Sequence, residues 1–275
     1  MSAHPFAVVR AGDDLAPAIE SVRVLGAAII EDAVDASICD ELCAAMLATL
    51  PEAAKGKPAE NTPGHVQHNP PLRAEHLHPE VFANPAAMEI IRTILGRGVT
   101  MTLYTGNTML GGTTQMQPVH WDEGQLWPAL DTPAPAHSLT INLPLVDVTV
   151  ENGAIEVWPG SHLDVRSGGR PSIHVPEEWL AERASVRVPT TKGSILLRDG
   201  RMWHRGTSNS TPDPRPMIAV VYAAWWYRPL PIDFHPDCQP VLDAAGVRVF
   251  ARYREDLDPL AWPPNWELVP APVAP

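Results

Sequence analysis

The sequence predicts a mainly β fold, a two-sheet jelly roll with helices packed on its outside. From Val99 onward the chain breaks into short runs rich in β-branched or aromatic residues, each bounded by Gly, Pro, Asn or Asp. Helical periodicity precedes these runs instead of alternating with them, which argues for packed sheets over βαβ units. The 31 prolines in 275 residues disfavour a helical bundle and suit short strands joined by loops. No period of about 20 to 50 residues repeats, which removes propellers and solenoids.

Taken in order, residues 22–30 read as a strand. Residues 35–50 place Ile38, Leu42, Ala45, Met46 and Leu50 at helical spacing, with Pro51 expected to end the helix. Residues 52–71 are polar and contain Pro and Gly, a long loop of the kind that serves as a lid. A second helix is expected over 85–95, with Pro85 in its first turn and Gly96 beyond its end. Strands are then expected over 99–105, 115–121, 138–146, 154–158, 185–189, 194–198 and 217–226. The tail after Arg254, with Trp262 and Trp266 among prolines, reads as an extended arm that packs on the barrel or serves a dimer. No linker divides the chain. The expected organisation is one domain over 1–275: an N-terminal elaboration about 1–98, a jelly-roll core about 99–227 and a C-terminal extension 228–275.

Net charge is −12, which disfavours a nucleic-acid surface because phosphate contacts need clustered Lys and Arg. Three cysteines, Cys39, Cys43 and Cys238, make an odd, low count that fits a reducing cytoplasm. No apolar run approaches ~18 residues, so no membrane span is expected. The start, Met1-Ser2-Ala3-His4-Pro5, lacks the basic segment and apolar stretch of a signal peptide. The expectation is a cytoplasmic protein, monomer or homodimer, whose partner is a small-molecule substrate.

The chemistry concentrates in His120-Trp121-Asp122 and in His204. Two imidazoles and one carboxylate are the facial ligand set of non-haem Fe(II), although the same donors accept Mn, Co, Ni or Zn. Alternate residues of an extended segment share a side, so His120 and Asp122 aim at one point. Arg215 follows His204 by eleven residues and heads an apolar strand. Its planar fork suits a carboxylate, so an anionic co-substrate is expected beside the metal, with Arg201 and Arg205 as alternatives. Ser138, Thr140 and Asn142 share the polar face of one strand, and Thr140 or Asn142 is a candidate co-substrate contact. Trp121, Trp127 and Trp203 flank the ligands and are candidate walls of a substrate pocket, against core packing as the alternative. Histidines at 65, 68, 76, 78, 137, 162, 174 and 235 read as surface or structural.

These residues sit in a longer frame: Asn152-Gly153, then Trp158-Pro159-Gly160-Ser161-His162, then 193–199, then Trp203-His204-Arg205-Gly206 with Asn209 and Arg215. The frame resembles the phytanoyl-CoA dioxygenase-like family of Fe(II)/2-oxoglutarate oxygenases, well over about 100–227 and more loosely from about Gly26. The resemblance implies a double-stranded β-helix, a cupin-like barrel. It implies Fe(II) on His120, Asp122 and His204, O2 as oxidant, and 2-oxoglutarate clamped by Arg215. It also implies Gln117 as a co-substrate contact, and a structural turn for His162. The upstream lysine of some members has no counterpart here. The implied activity is oxidation of a small, partly apolar metabolite, with succinate and CO2 as co-products. Hydroxylation, desaturation, epoxidation and rearrangement all remain open as outcomes. Asp122 disfavours halogenation. The competing readings are a metal-dependent cupin-like hydrolase or isomerase, which would give Arg215 no task, and a non-catalytic jelly-roll binding module.

Overall fold

The computed structural model describes residues 4–54, 62–127, 129–168, 174–227 and 230–257. Strand β1 (Val8–Arg10) leads to helix α1 (Ala16–Leu25) and then to β2 (Ala27–Glu31), which pairs with β1 in parallel. The strand expected over 22–30 is therefore half helix. Its first residues finish α1 and bury Val22, and Gly26, at φ 90°, turns the chain into β2. The β-branched residues misled here because tertiary packing overrides weak local propensity. Helix α2 (Ala36–Ala53) starts at Asp35, whose carboxylate accepts from Ser37 N, and it buries Cys39, Leu42, Met46 and Leu50. Pro51 lies inside its last turn and does not end it. So near the terminus a missing N–H costs a single backbone bond.

Strand β3 (His65–Gln67), the short helix α3 (Pro79–Phe82) and helix α4 (Pro85–Leu95) follow. Asn84 caps α4 by accepting from Ala87 N, and the expected bounds match. Strands β4 (Thr100–Met109), β5 (Ser138–Pro144) and β6 (Glu156–Val157) lead to the one-turn helix α5 (Glu177–Leu180) and then β7 (Val186–Arg187). Next are β8 (Ile195–Asp199), β9 (His204–Arg205) and β10 (Arg215–Ala223). Strand β11 (Ile232–Phe234), helix α6 (Gln239–Ala245) and β12 (Ala251–Tyr253) end the described chain. Of the expected loop over 52–71, residues 55–61 lie outside the described residues, and so do Trp262 and Trp266 of the tail. Among the described residues no helix is long and apolar enough to cross a membrane.

The larger sheet runs β1-β2-β8-β5-β10-β4-β3, and a smaller one runs β7-β6-β9. Strand period two sorts the larger sheet into two faces. Leu139, Ile141, Leu143, Ile195, Leu197, Ile218, Val220 and Tyr222 join residues of the helices in the main core. On the opposite face, Ala27, Ile29 and Leu196 meet Val157 and Met202 between the sheets. Further along that inner face the residues turn polar. Arg198 stands opposite Thr140, and Leu196 opposite Asn142, which is itself opposite Ala219 and then Thr105. The fold is the mainly β jelly roll with flanking helices that the sequence predicts, and it confines polarity to one end of the inter-sheet space.

The strand expected over 115–121 is reduced to a bridge between His120 and His204. Pro118 has no N–H to give a ladder, so the segment attaches at separate points instead. Gln117 N donates to Gly206 O at 2.9 Å, and His120 N donates to His204 O at 2.9 Å.

Candidate metal centre and anion pocket

The His120–His204 bridge carries both imidazoles to one side of the smaller sheet. Backbone bonds run both ways between the two residues, at 2.9 and 2.8 Å, and the ring centroids lie 4.2 Å apart. Asp122 is tied to the turn after β8, because Asp122 N and Glu123 N both donate to Gly200 O. Gly200 has no room for a side chain: a Cβ there would stand 2.4 Å from Ser138 Oγ and 3.0 Å from Glu123 Cγ. That close approach delivers the carboxylate to the histidines. Asp122 Oδ1 lies 3.6 Å from His204 Nε2 and 3.9 Å from His120 Nε2. One ligand atom from each residue falls within 4.8 Å of the others.

The tautomers follow from the partners. His120 Nδ1 lies 2.9 Å from Pro118 O, and His204 Nδ1 lies 3.0 Å from Met202 O. A carbonyl can only accept, so each Nδ1 carries the proton and each Nε2 turns a free lone pair towards Asp122. Burial, with Arg198 nearby, holds the His204 imidazole well below its ordinary range, hence neutral. Burial opposes charge on Asp122, but the Arg198 guanidinium outweighs it and keeps the carboxyl ionised, below its ordinary range. Two neutral nitrogens and one carboxylate oxygen facing inward are a fitting donor set for a first-row dication.

Arg198 is a residue that sequence reasoning passed over as part of the frame. It projects from β8 on the inner face, with Nη2 donating to Asp122 Oδ2 at 2.5 Å and Nε donating to Asn142 Oδ1 at 3.1 Å. The signal was parity: a charged residue on the inner side of an otherwise apolar buried strand, one step before Asp199-Gly200.

Arg215 opens β10 on the same inner face, opposite Met109, which in turn faces His65 on β3. It is 5% exposed, its Nε has no hydrogen-bond partner, and no acidic side chain among the described residues pairs with it. Burial lowers its pKa to about 10, so the guanidinium stays charged at neutral pH. The two alternative arginines are engaged elsewhere. Arg201 forks onto Asp199 through Nε and Nη2 at 2.9 and 2.8 Å, and Arg205 Nε donates to Glu156 Oε2 at 2.6 Å over the Trp158 ring.

His65, read from the sequence as surface or structural, is buried close to Arg215. It feels the charge of Arg215 and is pushed down to a pKa of about 4, mainly by burial. Its Nδ1 lies 2.8 Å from Gln117 Nε2, while Gln117 Oε1 accepts from Gly206 N at 2.7 Å. Gln117 thus reaches the pocket through His65. Thr140 Oγ1 is buried without a partner, whereas the Asn142 oxygen is taken by Arg198.

The tryptophans divide. Trp203 is fully buried and packs with Val119, Trp121, Trp158 and Val175, on the side of the sheet away from His120 and His204. One step along an extended segment reverses the side chain, and the burial of Trp121 and Trp203 in this cluster favours the core-packing alternative that the sequence left open. Trp127 is 47% exposed, with its ring 5.8 Å from that of Trp226. His162 is buried, with Nε2 against Arg23 O at 3.1 Å, in keeping with the structural turn expected of it.

The family model described as phytanoyl-CoA dioxygenase (PhyH) matches residues 22–217. Dioxygenase af480 of Aspergillus fumigatus is 30% identical over 159 residues, which are 55% of this chain and 46% of that protein. The matched segment thus spans less than half of that relative. Among solved structures, AviO1 from Streptomyces viridochromogenes Tue57 is similar with TM-score 0.59 at 21% identity, over 79% of this chain and 98% of AviO1. The epimerase SnoN, in complex with Fe3+, alpha ketoglutarate and nogalamycin RO, is similar with TM-score 0.53 at 20% identity, over 76% of this chain and 83% of SnoN.

Proposed function

Because the chain belongs to the phytanoyl-CoA dioxygenase (PhyH) family, we propose that it is a non-haem Fe(II)/2-oxoglutarate-dependent dioxygenase acting on a small, partly apolar metabolite. The observation that carries this reading is a triad of metal-donor atoms and a buried guanidinium facing one inter-sheet space. Three inward donors, His120 Nε2, Asp122 Oδ1 and His204 Nε2, converge within 4.8 Å of one another. Along the same inner face, Arg215 is a buried guanidinium that pairs with no acidic side chain among the described residues. A dication and a dicarboxylate answer both.

His120, Asp122 and His204 would hold the iron, and Arg215 the distal carboxylate of 2-oxoglutarate. With both bound, the site would supply O2 activation coupled to oxidation of 2-oxoglutarate to succinate and CO2 and of a substrate C–H bond. The chain's own residues prepare the site. The carbonyls of Pro118 and Met202 hold the imidazole tautomers. The burial of Arg215 keeps water from competing for its fork. Gln117, His65 and Thr140 line the way to the co-substrate. Natural-product tailoring is the field of chemistry we favour for the substrate, following the nogalamycin-bound relative in fold. A hydrolase reading leaves the charge of Arg215 without a task.

The test is a screen of small metabolites for substrate-stimulated succinate formation with Fe(II), O2 and 2-oxoglutarate supplied. His120→Ala, Asp122→Ala and His204→Ala are each expected to abolish turnover. Undiminished activity in all three variants sinks the assignment. Substrate conversion that ignores 2-oxoglutarate turns the reading towards a hydrolase.

A further inference from the structure

Asp122 uses its two oxygens differently. Oδ1 faces both histidines, at 3.6 and 3.9 Å, while Oδ2 is held by Arg198 at 2.5 Å. We propose that Arg198 is a positioning residue that pins Oδ2, so that the carboxylate offers the metal a single donor in a fixed orientation. The inference rests on the metal reading of the triad.

Three observations support it. Arg198 is itself anchored, since Nε donates to Asn142 Oδ1 on the neighbouring strand and the backbone register sets Arg198 opposite Thr140. Its fork therefore presents a fixed N–H to Asp122, where a freely rotating ammonium could not satisfy both partners at once. The position is also costly: Nη1 is buried without a partner. A role in packing alone would be met by an aliphatic side chain such as Leu196, two residues earlier on the same face. Finally, the other two ligands are oriented by backbone carbonyls at Nδ1, and Asp122 has Arg198 as the corresponding support. Such outer partners typically govern metal affinity by about 10- to 100-fold.

The test uses Co(II) as the probe, on the whole metal-free protein without oxygen or substrate. Co(II) affinity and the visible d–d bands report donor strength and number separately from turnover. Arg198→Met is expected to weaken Co(II) binding by about 10- to 100-fold and to alter the band intensities, as the released carboxylate swings or chelates. Arg198→Lys should recover part of the affinity, since it restores charge and one hydrogen bond without the fork. Asn142→Leu removes only the anchor of Nε. It should give a smaller loss in the same direction, and it stands in if Arg198→Met does not fold. Co(II) binding within twofold of the parent, with unchanged bands, in Arg198→Met or, failing that, in Asn142→Leu overturns the proposal. If the parent binds Co(II) no better than His120→Ala does, the triad reading itself has failed, which is a distinct result.

Discussion

At the scale of single residues, the site is decided by which charged groups lack a partner. Arg201 and Arg205 have carboxylates of their own, and Arg215 has none among the described residues. Arg215→Leu should therefore raise the apparent KM for 2-oxoglutarate tens to hundreds of fold, about 2–4 kcal/mol, with Fe(II) affinity little changed. Lys at the same position should recover only part, because it restores charge without the fork. A steady-state titration of 2-oxoglutarate against the variants settles it, and an unchanged KM removes Arg215 from the site. Trp203 gives the opposite kind of prediction. Fully buried among Val119, Trp121, Trp158 and Val175, it should cost about 3–5 kcal/mol of stability as Trp203→Ala. Chemical denaturation measures that cost. A variant that keeps its stability and changes only substrate KM would return Trp203 to the pocket wall.

At the scale of elements, strand parity explains what the sequence revealed and what it hid. The pair His120 and Asp122, two apart, could be read directly, and so could the outer apolar rows of β5 and β10. Parity could flag Arg198 as a charge on the inner side of β8, but neither its partners nor those of His65 could be read. Their roles depend on which strand lies beside which, and no local pattern carries the order β8-β5-β10-β4-β3. The helix–strand junction at Gly26 was hidden for a similar reason. A Cβ there would come within 2.7 Å of His162 Nδ1, a contact 136 residues distant in sequence, and φ is 90° besides. Gly26→Ala should therefore be strongly destabilising, and Gly26→Ala with His162→Ala should recover only the steric part, since the positive φ remains unfavourable for alanine.

The element just after β3 carries a pH prediction. His68 is fully buried with Nε2 against Thr108 Oγ1 at 2.8 Å, and burial pushes its pKa down to about 4. An unfolded chain takes up that proton near the ordinary value of about 6.5. Between those values the unfolded state binds more protons, so stability is complete above about 6.5 and is lost as pH falls towards 4. The contribution is on the order of 3 kcal/mol. Urea titrations at pH 7 and 4.5 should show a smaller drop for His68→Gln than for the parent. An equal drop would place the acid sensitivity elsewhere.

At the scale of the whole molecule, the site exists only when the fold is complete. His120 comes from the bridge segment, Asp122 from its tie to the turn after β8, His204 from β9, and Arg215 from the start of β10. No part of the unfolded chain brings these groups together, so ligands that need all of them bind the native state alone. Binding then adds RT ln(1 + [L]/Kd) to stability, about 2.7 kcal/mol at a hundredfold excess over Kd. For a chain of this size that raises Tm by roughly 5–10 °C. Mn(II) with 2-oxoglutarate, a redox-silent pair, should produce such a shift in the parent protein. Asp122→Ala should lose it for both ligands, because the dication has lost a donor and the co-substrate has lost the dication. Arg215→Leu should keep the shift from Mn(II) alone and lose the further increment from 2-oxoglutarate. This asymmetry follows from the sequence of dependence, metal on triad and co-substrate on metal and arginine. A 2-oxoglutarate increment that survives in Asp122→Ala would mean that the dicarboxylate binds without the metal, and the two halves of the site would have to be assigned to separate ligands.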